Sequence, residues 1–330
     1  MKSVLITAPV SKTEREIYEQ NLLSLSKLSF LQDLNSDQEK EMLLLKADVI
    51  ISWNPKKELT SNELEVLSKS KAQLLQTVSA GVDHLPFDFL SPKLKIATNS
   101  GAYSEPIAEH VLAMALAIAK NLLPRHLELT KGKFDQKTLN RQLSQSSALI
   151  IGMGGIGTAT ARLFSQIGIK VSGINRTGKS ELEFLDQIFP LSQLLAALSQ
   201  NDIIVMALPL TKVTKNLIGA KELQAMKDDA IFINVARAAI INQQDLFNHL
   251  KNHPNFKVGI DTWWIEPFQQ QKFELEFPFL SLDNVLGSPH NSAIVKDSIA
   301  YATSQAALNV ASYLKGEAIR GEITNDEYRL

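Results

Sequence analysis

No cysteine occurs in the chain, so disulfides, thiolate metal sites and a cysteine nucleophile are excluded at once. Charge of one sign is also missing: 34 lysines and arginines face 35 aspartates and glutamates, a formal net charge of -1. That balance gives no electrostatic reason to expect nucleic acid or an anionic membrane surface as partner. Long apolar runs are absent as well. Val4-Leu5-Ile6 is far too short for a signal peptide, and the longest helical apolar segment, Val111 to Ala119, falls short of a membrane span. A soluble, cytoplasmic protein is the expectation. No metal is expected, the six histidines being read as lacking paired ligand spacing. What remains is a 330-residue chain, 45% hydrophobic, enough for two ordinary cores.

The stretch with the most specific signal runs from Ala148 to Thr177. An apolar run, Ala148 to Ile151, enters Gly152-Met153-Gly154-Gly155-Ile156-Gly157, followed by an amphipathic segment with Ala161, Leu163, Phe164 and Ile167, a stop at Gly168, and a second apolar run from Ile169 to Ile174. That is strand, glycine turn, helix, strand. Gly152, Gly154 and Gly157 have the G-x-G-x-x-G spacing in which the first glycine makes the turn, the second admits a pyrophosphate and the third packs helix on strand. The helix N-terminus then faces the phosphates. The residue closing the second strand selects the cofactor, since an acidic side chain binds the ribose 2′-hydroxyl and an arginine can take a 2′-phosphate. Here the sequence is Asn175-Arg176-Thr177, without a carboxylate, so NADP(H) is favoured. The alternative is a solvated Arg176 and an enzyme that also takes NAD(H).

Strand-like runs alternate with helical segments along the rest of the chain, the pattern of βα units on parallel sheets. They are Val4 to Ile6, Val49 to Ile51, Leu74 to Val78 and Ile96 to Thr98 before the glycine turn, then Ile203 to Met206, Ile231 to Asn234, Lys257 to Ile260 and Val285-Leu286. Ser104-Glu105-Pro106 opens a long helix, Ile107 to Leu122, expected to be buried nearly all round and to end at Pro124. Arg125 to Ser146 is polar and reads as a connector or surface arm. A last helix is expected from about Ile294 to Leu314. Ligands gather at the carboxyl ends of parallel strands. Trp53-Asn54-Pro55 and Ser79-Ala80-Gly81-Val82-Asp83 are placed there, the second able to cradle an anion with backbone amides or to be a simple turn, the first more often a packing aromatic than a pocket wall. Leu208-Pro209-Leu210-Thr211, Asn234-Val235-Ala236-Arg237, and Asp261 to Pro267 should open onto the cofactor.

Three of these strand ends supply Arg237, Glu266 and His290. Reduction of a 2-oxo acid needs a cation to hold the carboxylate and polarise the ketone, and an acid to protonate the oxygen. Arg237 and His290 fit those roles, and a carboxylate beside the histidine, Glu266, would orient the ring and favour imidazolium.

With Ser79 to Asp83, Ala108-Glu109-His110, Gly152 to Gly157, Leu208 to Thr211, Asn234 to Arg237, Glu266-Pro267 and Pro289-His290 in place, the chain resembles the D-isomer-specific 2-hydroxyacid dehydrogenase family over nearly its whole length. The resemblance implies an α/β fold of two Rossmann-like or flavodoxin-like parallel-sheet domains. A dinucleotide-binding domain, 101–291, is inserted into a discontinuous substrate domain, 1–100 with 292–330. It implies a homodimer through the cofactor domains, and a small 2-oxo or 2-hydroxy acid as substrate. By position, Arg237 matches the substrate arginine, His290 the acid/base and Glu266 its partner. Ser79, Ala80 and Gly81 match the loop that holds the carboxylate, with Trp53 on the substrate's third-carbon side. Asp261 matches the acid near the nicotinamide carboxamide. Leu208 and Pro209 match the adenine side, with Thr214, Val235 and Ala236 among the cofactor-lining residues. Asn175-Arg176-Thr177 is similar to NADP-type glyoxylate and hydroxypyruvate reductases. Ala238 and Asn291-Ser292 depart from the usual pattern, which leaves the pocket's shape, with Trp263 and Trp264, open. His84, His110, His126, His249 and His253 are read as structural or solvated. A glutamate at 266 counts against a formate dehydrogenase; a phosphite dehydrogenase and a dinucleotide-sensing binding protein stay as alternatives.

Overall fold

The computed structural model describes residues 1–329. The chain forms two compact units, Met1–Tyr103 together with the segment from Lys296 on, and Ser104–Val295. In the first, β1 (Lys2–Ile6), β2 (Ser26–Phe30), β3 (Val49–Ser52), β4 (Leu74–Thr77) and β5 (Lys95–Ala97) make an all-parallel sheet in the order β2-β1-β3-β4-β5. That is the flavodoxin-like order. Every residue of β3 and β4 is buried, as expected of central parallel strands covered on both faces. The returning segment completes this unit: helix Ser298–Lys315 packs on helix Lys12–Leu22, Thr98 N–H donates to Gly321 O at 2.8 Å, and Ile323 N–H donates to Ile96 O at 3.0 Å.

The second unit carries β6 (Ser147–Ile151), β7 (Lys170–Asn175), β8 (Gln187–Pro190), β9 (Ile203–Met206), β10 (Ile231–Asn234), β11 (Lys257–Ile260) and β12 (Val285–Gly287), all parallel, in the order β12-β11-β10-β9-β6-β7-β8. The strand order reverses between β6 and β9, which is the crevice where open α/β sheets bind ligands. Both parallel sheets and the doubly wound order are those expected from the sequence.

Several local expectations are corrected. β2 and β8 were not anticipated. Each is an edge strand with a single neighbour, so neither needs a continuous apolar run, and β8 can end in Pro190 because nothing pairs beyond it. The long helix runs Ser104–Ala119 and stops before Asn121, whose φ of 49° turns the chain by the left-handed route. Pro124 does not end it. It lies in the first turn of a second helix, Leu122–Thr130, where its missing N–H has no partner to lose. Nor is Ser104–Ala119 buried all round: Ile107, Ala108, Val111, Met114, Ala115 and Ile118 face inward and Leu116 faces out. Gly259 sets how closely this helix lies on β11, since a Cβ there would stand 3.2 Å from Met114 Sδ. The last helix begins at Ser298 rather than Ile294, because Asp297 takes φ 61°. Among the described residues no single helix is long and apolar enough to cross a membrane; Ser104–Ala119 and Leu122–Thr130 reach that length only when counted together across a 55° bend.

His249, in the last turn of helix Gln243–Asn252, and His253, its C-cap, do stand four apart, so the spacing argument against a metal fails. Their rings stack with centroids 4.2 Å apart, and among the described residues no group of three or more histidines and carboxylates could hold an ion. His249 Nε2 is buried without a hydrogen-bond partner, and burial, reinforced by His253, pushes its pKa down to about 4. The unfolded chain therefore takes up a proton that the native state refuses once pH drops below the ordinary histidine value of about 6.5. Stability from this site is complete above that value and is lost progressively as pH falls towards 4. In urea unfolding the parent should lose midpoint relative to a His249→Phe variant as pH is lowered across that interval. A constant difference in midpoint would remove His249 from the acid response.

Candidate active site

The turn after β6 is built by exclusion of side chains. Gly152 has φ 103°, and a Cβ on it would lie 2.7 Å from the backbone of Ala207 and Leu208. A Cβ on Gly157 would lie 1.9 Å from Gly152 O, so helix Gly155–Gln166 sits directly on the turn. Gly154 is the exception: nothing lies within 4 Å of its Cβ position. The open side of the turn, at the helix N-terminus, thus has room for an anionic group against the backbone amides. Met153 is folded back over Gly173 of β7, whose Cβ would stand 2.8 Å from the Met153 sulfur.

At the end of β7, Asn175 Oδ1 accepts from Thr177 N–H at 3.0 Å and Gly178 N–H at 2.7 Å, and its Nδ2 donates to Lys179 O at 2.7 Å. Asn175 therefore shapes the loop, while Arg176 and Thr177 are exposed. After β9, Thr214 Oγ1 donates to Pro209 O at 2.7 Å and accepts from Thr211 N–H at 2.8 Å. Thr214 is buried in fastening this loop, with Leu208 half-buried and Pro209 exposed.

The loops after β10, β11 and β12 carry the reacting candidates. Asn234 accepts from Ala236 N–H at 3.1 Å and donates to Arg237 O at 3.2 Å, a side-chain turn that buries Val235 and Ala236 and leaves Arg237 half-buried, its Nη1 donating to Ala236 O at 2.8 Å. His290 Nδ1 lies 2.8 Å from Glu266 Oε2. The second oxygen of Glu266 accepts from Trp263 N–H at 2.6 Å, so the carboxylate is fixed before it meets the imidazole. His290 takes φ 51°, an uncommon backbone setting that persists only where the surroundings enforce it. Asp261 is fully buried and accepts from Ser288 Oγ at 2.5 Å and from the amides of Asn291 and Ser292 at 3.2 and 3.4 Å. Trp263 and Trp264 are structural: the indole N–H of Trp263 donates to Ser288 O at 2.9 Å, and Trp264 stacks on Phe279.

In the first unit, Ser79 Oγ donates to Gly81 O at 2.9 Å and Thr77 Oγ1 donates to Ser79 O at 2.7 Å, while the amides of Ala80 and Gly81 donate to no atom of the described residues. Trp53 is half-buried on a loop held by Glu58, which the sequence did not single out. Its carboxylate accepts from Trp53 N–H at 2.8 Å, Asn54 N–H at 2.5 Å, Ser52 Oγ at 2.5 Å and Thr7 Oγ1 at 2.6 Å. His110, read from the sequence as structural or solvated, has Nε2 3.0 Å from Ser288 Oγ. Its only signal was its place in Ala108-Glu109-His110.

Residues 112–292 match the model of the D-isomer specific 2-hydroxyacid dehydrogenase, NAD binding domain. The chain is 29% identical over 259 residues to a glyoxylate reductase/hydroxypyruvate reductase of Mus musculus, covering 76% of each. It is 25% identical over 292 residues to a hydroxypyruvate reductase of Thermotoga maritima, covering 88% of this chain and 91% of that one. Its fold superposes, with a TM-score of 0.81, 20% identity and 99% of each chain covered, on a D-isomer specific 2-hydroxyacid dehydrogenase from Xanthobacter autotrophicus Py2 solved with NADPH and MES.

The two glycines of the turn should part company on substitution. Gly157→Ala is expected to cost about 1–3 kcal/mol or more by overpacking against backbone, whereas Gly154→Ala should unfold at the parent urea midpoint and weaken only nicotinamide dinucleotide binding. A Gly157→Ala protein as stable as the parent would show that the helix is not set by this contact.

Proposed function

Because the chain belongs to the D-isomer specific 2-hydroxyacid dehydrogenase family of NAD(P)-dependent oxidoreductases, we propose that it reduces a small 2-oxo acid to the D-2-hydroxy acid, with glyoxylate and hydroxypyruvate the leading substrates and NADPH the preferred donor. The observation that carries this reading is the His290–Glu266 pair, 2.8 Å apart, at the ends of the two strands that follow the Arg237 loop's strand in the sheet. Gly154 and the N-terminus of helix Gly155–Gln166 would hold the dinucleotide, which would supply the hydride. Arg237 holds the carboxylate and draws electron density from the ketone oxygen. Glu266 engages His290 Nδ1 and orients the ring, which leaves Nε2 to give its proton to that oxygen. The Ala80 and Gly81 amides form a nest suited to a carboxylate. No carboxylate closes β7, and Arg176 supports NADPH over NADH. The exposed leucines 116, 122, 123, 127 and 129 favour a second copy of this chain as partner.

The test follows absorbance of the reduced nicotinamide with NADPH or NADH and a panel of 2-oxo acids. Glyoxylate or hydroxypyruvate should be reduced, faster with NADPH; His290→Gln should lose most turnover while still binding NADPH, and Arg176→Ala should weaken NADPH far more than NADH. Sedimentation of the same sample should give a dimer. An inert panel with NADPH bound, or an active His290→Gln variant, would overturn the reading.

A further inference from the structure

We propose that His110 is a positioning residue for the turn that presents His290, acting through Ser288 and Asp261; this rests on the assignment of His290 as the acid. The chain of hydrogen bonds has only one consistent sense. Asp261 as a carboxylate can only accept, so the hydroxyl proton of Ser288, 2.5 Å away, goes to Asp261. Ser288 Oγ is then an acceptor towards His110, and the proton between them sits on His110 Nε2, at 3.0 Å. His110 Nε2 is also 3.7 Å from Asp261 Oδ1. The series runs from His110 to Ser288 to Asp261, and Asp261 in turn receives the amides of Asn291 and Ser292.

The positions gripped are 288, 291 and 292, on both sides of His290. His290 itself is held at φ 51°, where the backbone has no intrinsic reason to stay. A bonded network of this kind is stiffer than its separate members, because each donor polarises the next. His110 comes from a different element, helix Ser104–Ala119, whose close seat on β11 is allowed by Gly259. The helix thereby reaches across β11 to the end of β12 and supplies the outermost donor. Nothing in this series touches the reacting atoms. Its expected effect is on the placement of the acid, which enters turnover rather than affinity.

The experiment compares the parent with His110→Ala and His110→Gln, the latter returning an amide N–H near the position of Nε2. Amide hydrogen exchange at Asn291 and Ser292 is measured in the protein without added nucleotide, and kcat, KM and NADPH affinity are measured with the best 2-oxo acid of the panel. His110→Ala should exchange faster at both amides and lose about tenfold in kcat, with KM and NADPH affinity within about twofold of the parent, and His110→Gln should recover both exchange and kcat. Parent-like exchange or kcat in His110→Ala overturns the proposal, and so does failure of His110→Gln to restore them, which would make His110 a packing residue. If the parent reduces nothing, the proposed function fails instead, and the exchange measurement still decides whether His110 holds the turn.

Discussion

At the end of β6 the backbone turns so tightly that Gly152 O occupies the place where a side chain on Gly157 would begin, and this fixes the height of helix Gly155–Gln166 above the sheet. Much of the second unit takes its position from that contact. The turn presses against Ala207 and Leu208, so the β9 loop is located by the same backbone that locates the helix, and Met153 reaches across to Gly173 of β7. Three strand ends are thus brought into fixed relation at the point where the strand order reverses. The remaining loops follow from register alone: β10, β11 and β12 run parallel to β9, and their carboxyl ends emerge on one edge carrying Arg237, Glu266 and His290.

Carboxylates placed at strand ends do the finer work. Glu58 collects two amides and two hydroxyls around the loop after β3, Glu266 takes Trp263 N–H before meeting His290, and Asp261 takes the amides beyond His290. Loops at a ligand-facing edge cannot be held by ladder bonds, and their free amides are costly to bury unpaired. An acidic side chain with several lone pairs answers both needs, and the charge-assisted bonds it makes are stronger than neutral ones.

Much of this was legible in the sequence, for a physical reason. Central parallel strands are buried on both faces and read as apolar runs, and the glycine spacing marks a turn in which side chains are excluded sterically. The edge strands Ser26–Phe30 and Gln187–Pro190 escaped because an edge needs neither property. Helix ends were misplaced where a single non-glycine residue, Asn121 or Asp297, adopts the left-handed conformation, which composition does not announce. Pro124 misled because proline both ends helices and opens them. The partnership of His110 with Ser288 spans 178 positions and that of Glu58 with Thr7 spans 51, and no local pattern encodes such pairings. His249 and His253 carry a ligand-like spacing, yet their geometry is a ring stack.

The first unit is discontinuous, and this bears on the order in which the molecule can be made. Its β5 edge is satisfied by Gly321 and Ile323, Tyr328 stacks on Phe87, and Asn325 Nδ2 bonds Leu94 O. All of these partners leave the ribosome after the whole of the second unit. During synthesis, therefore, the inserted unit has its complete sheet while the earlier-born one still waits with an open edge and an uncovered face, and domains fold as units when their residues are available. The residues before Ser104 are thus made ahead of the inserted unit and completed after it, so they wait with that edge open for the whole interval in which Ser104–Val295 is translated.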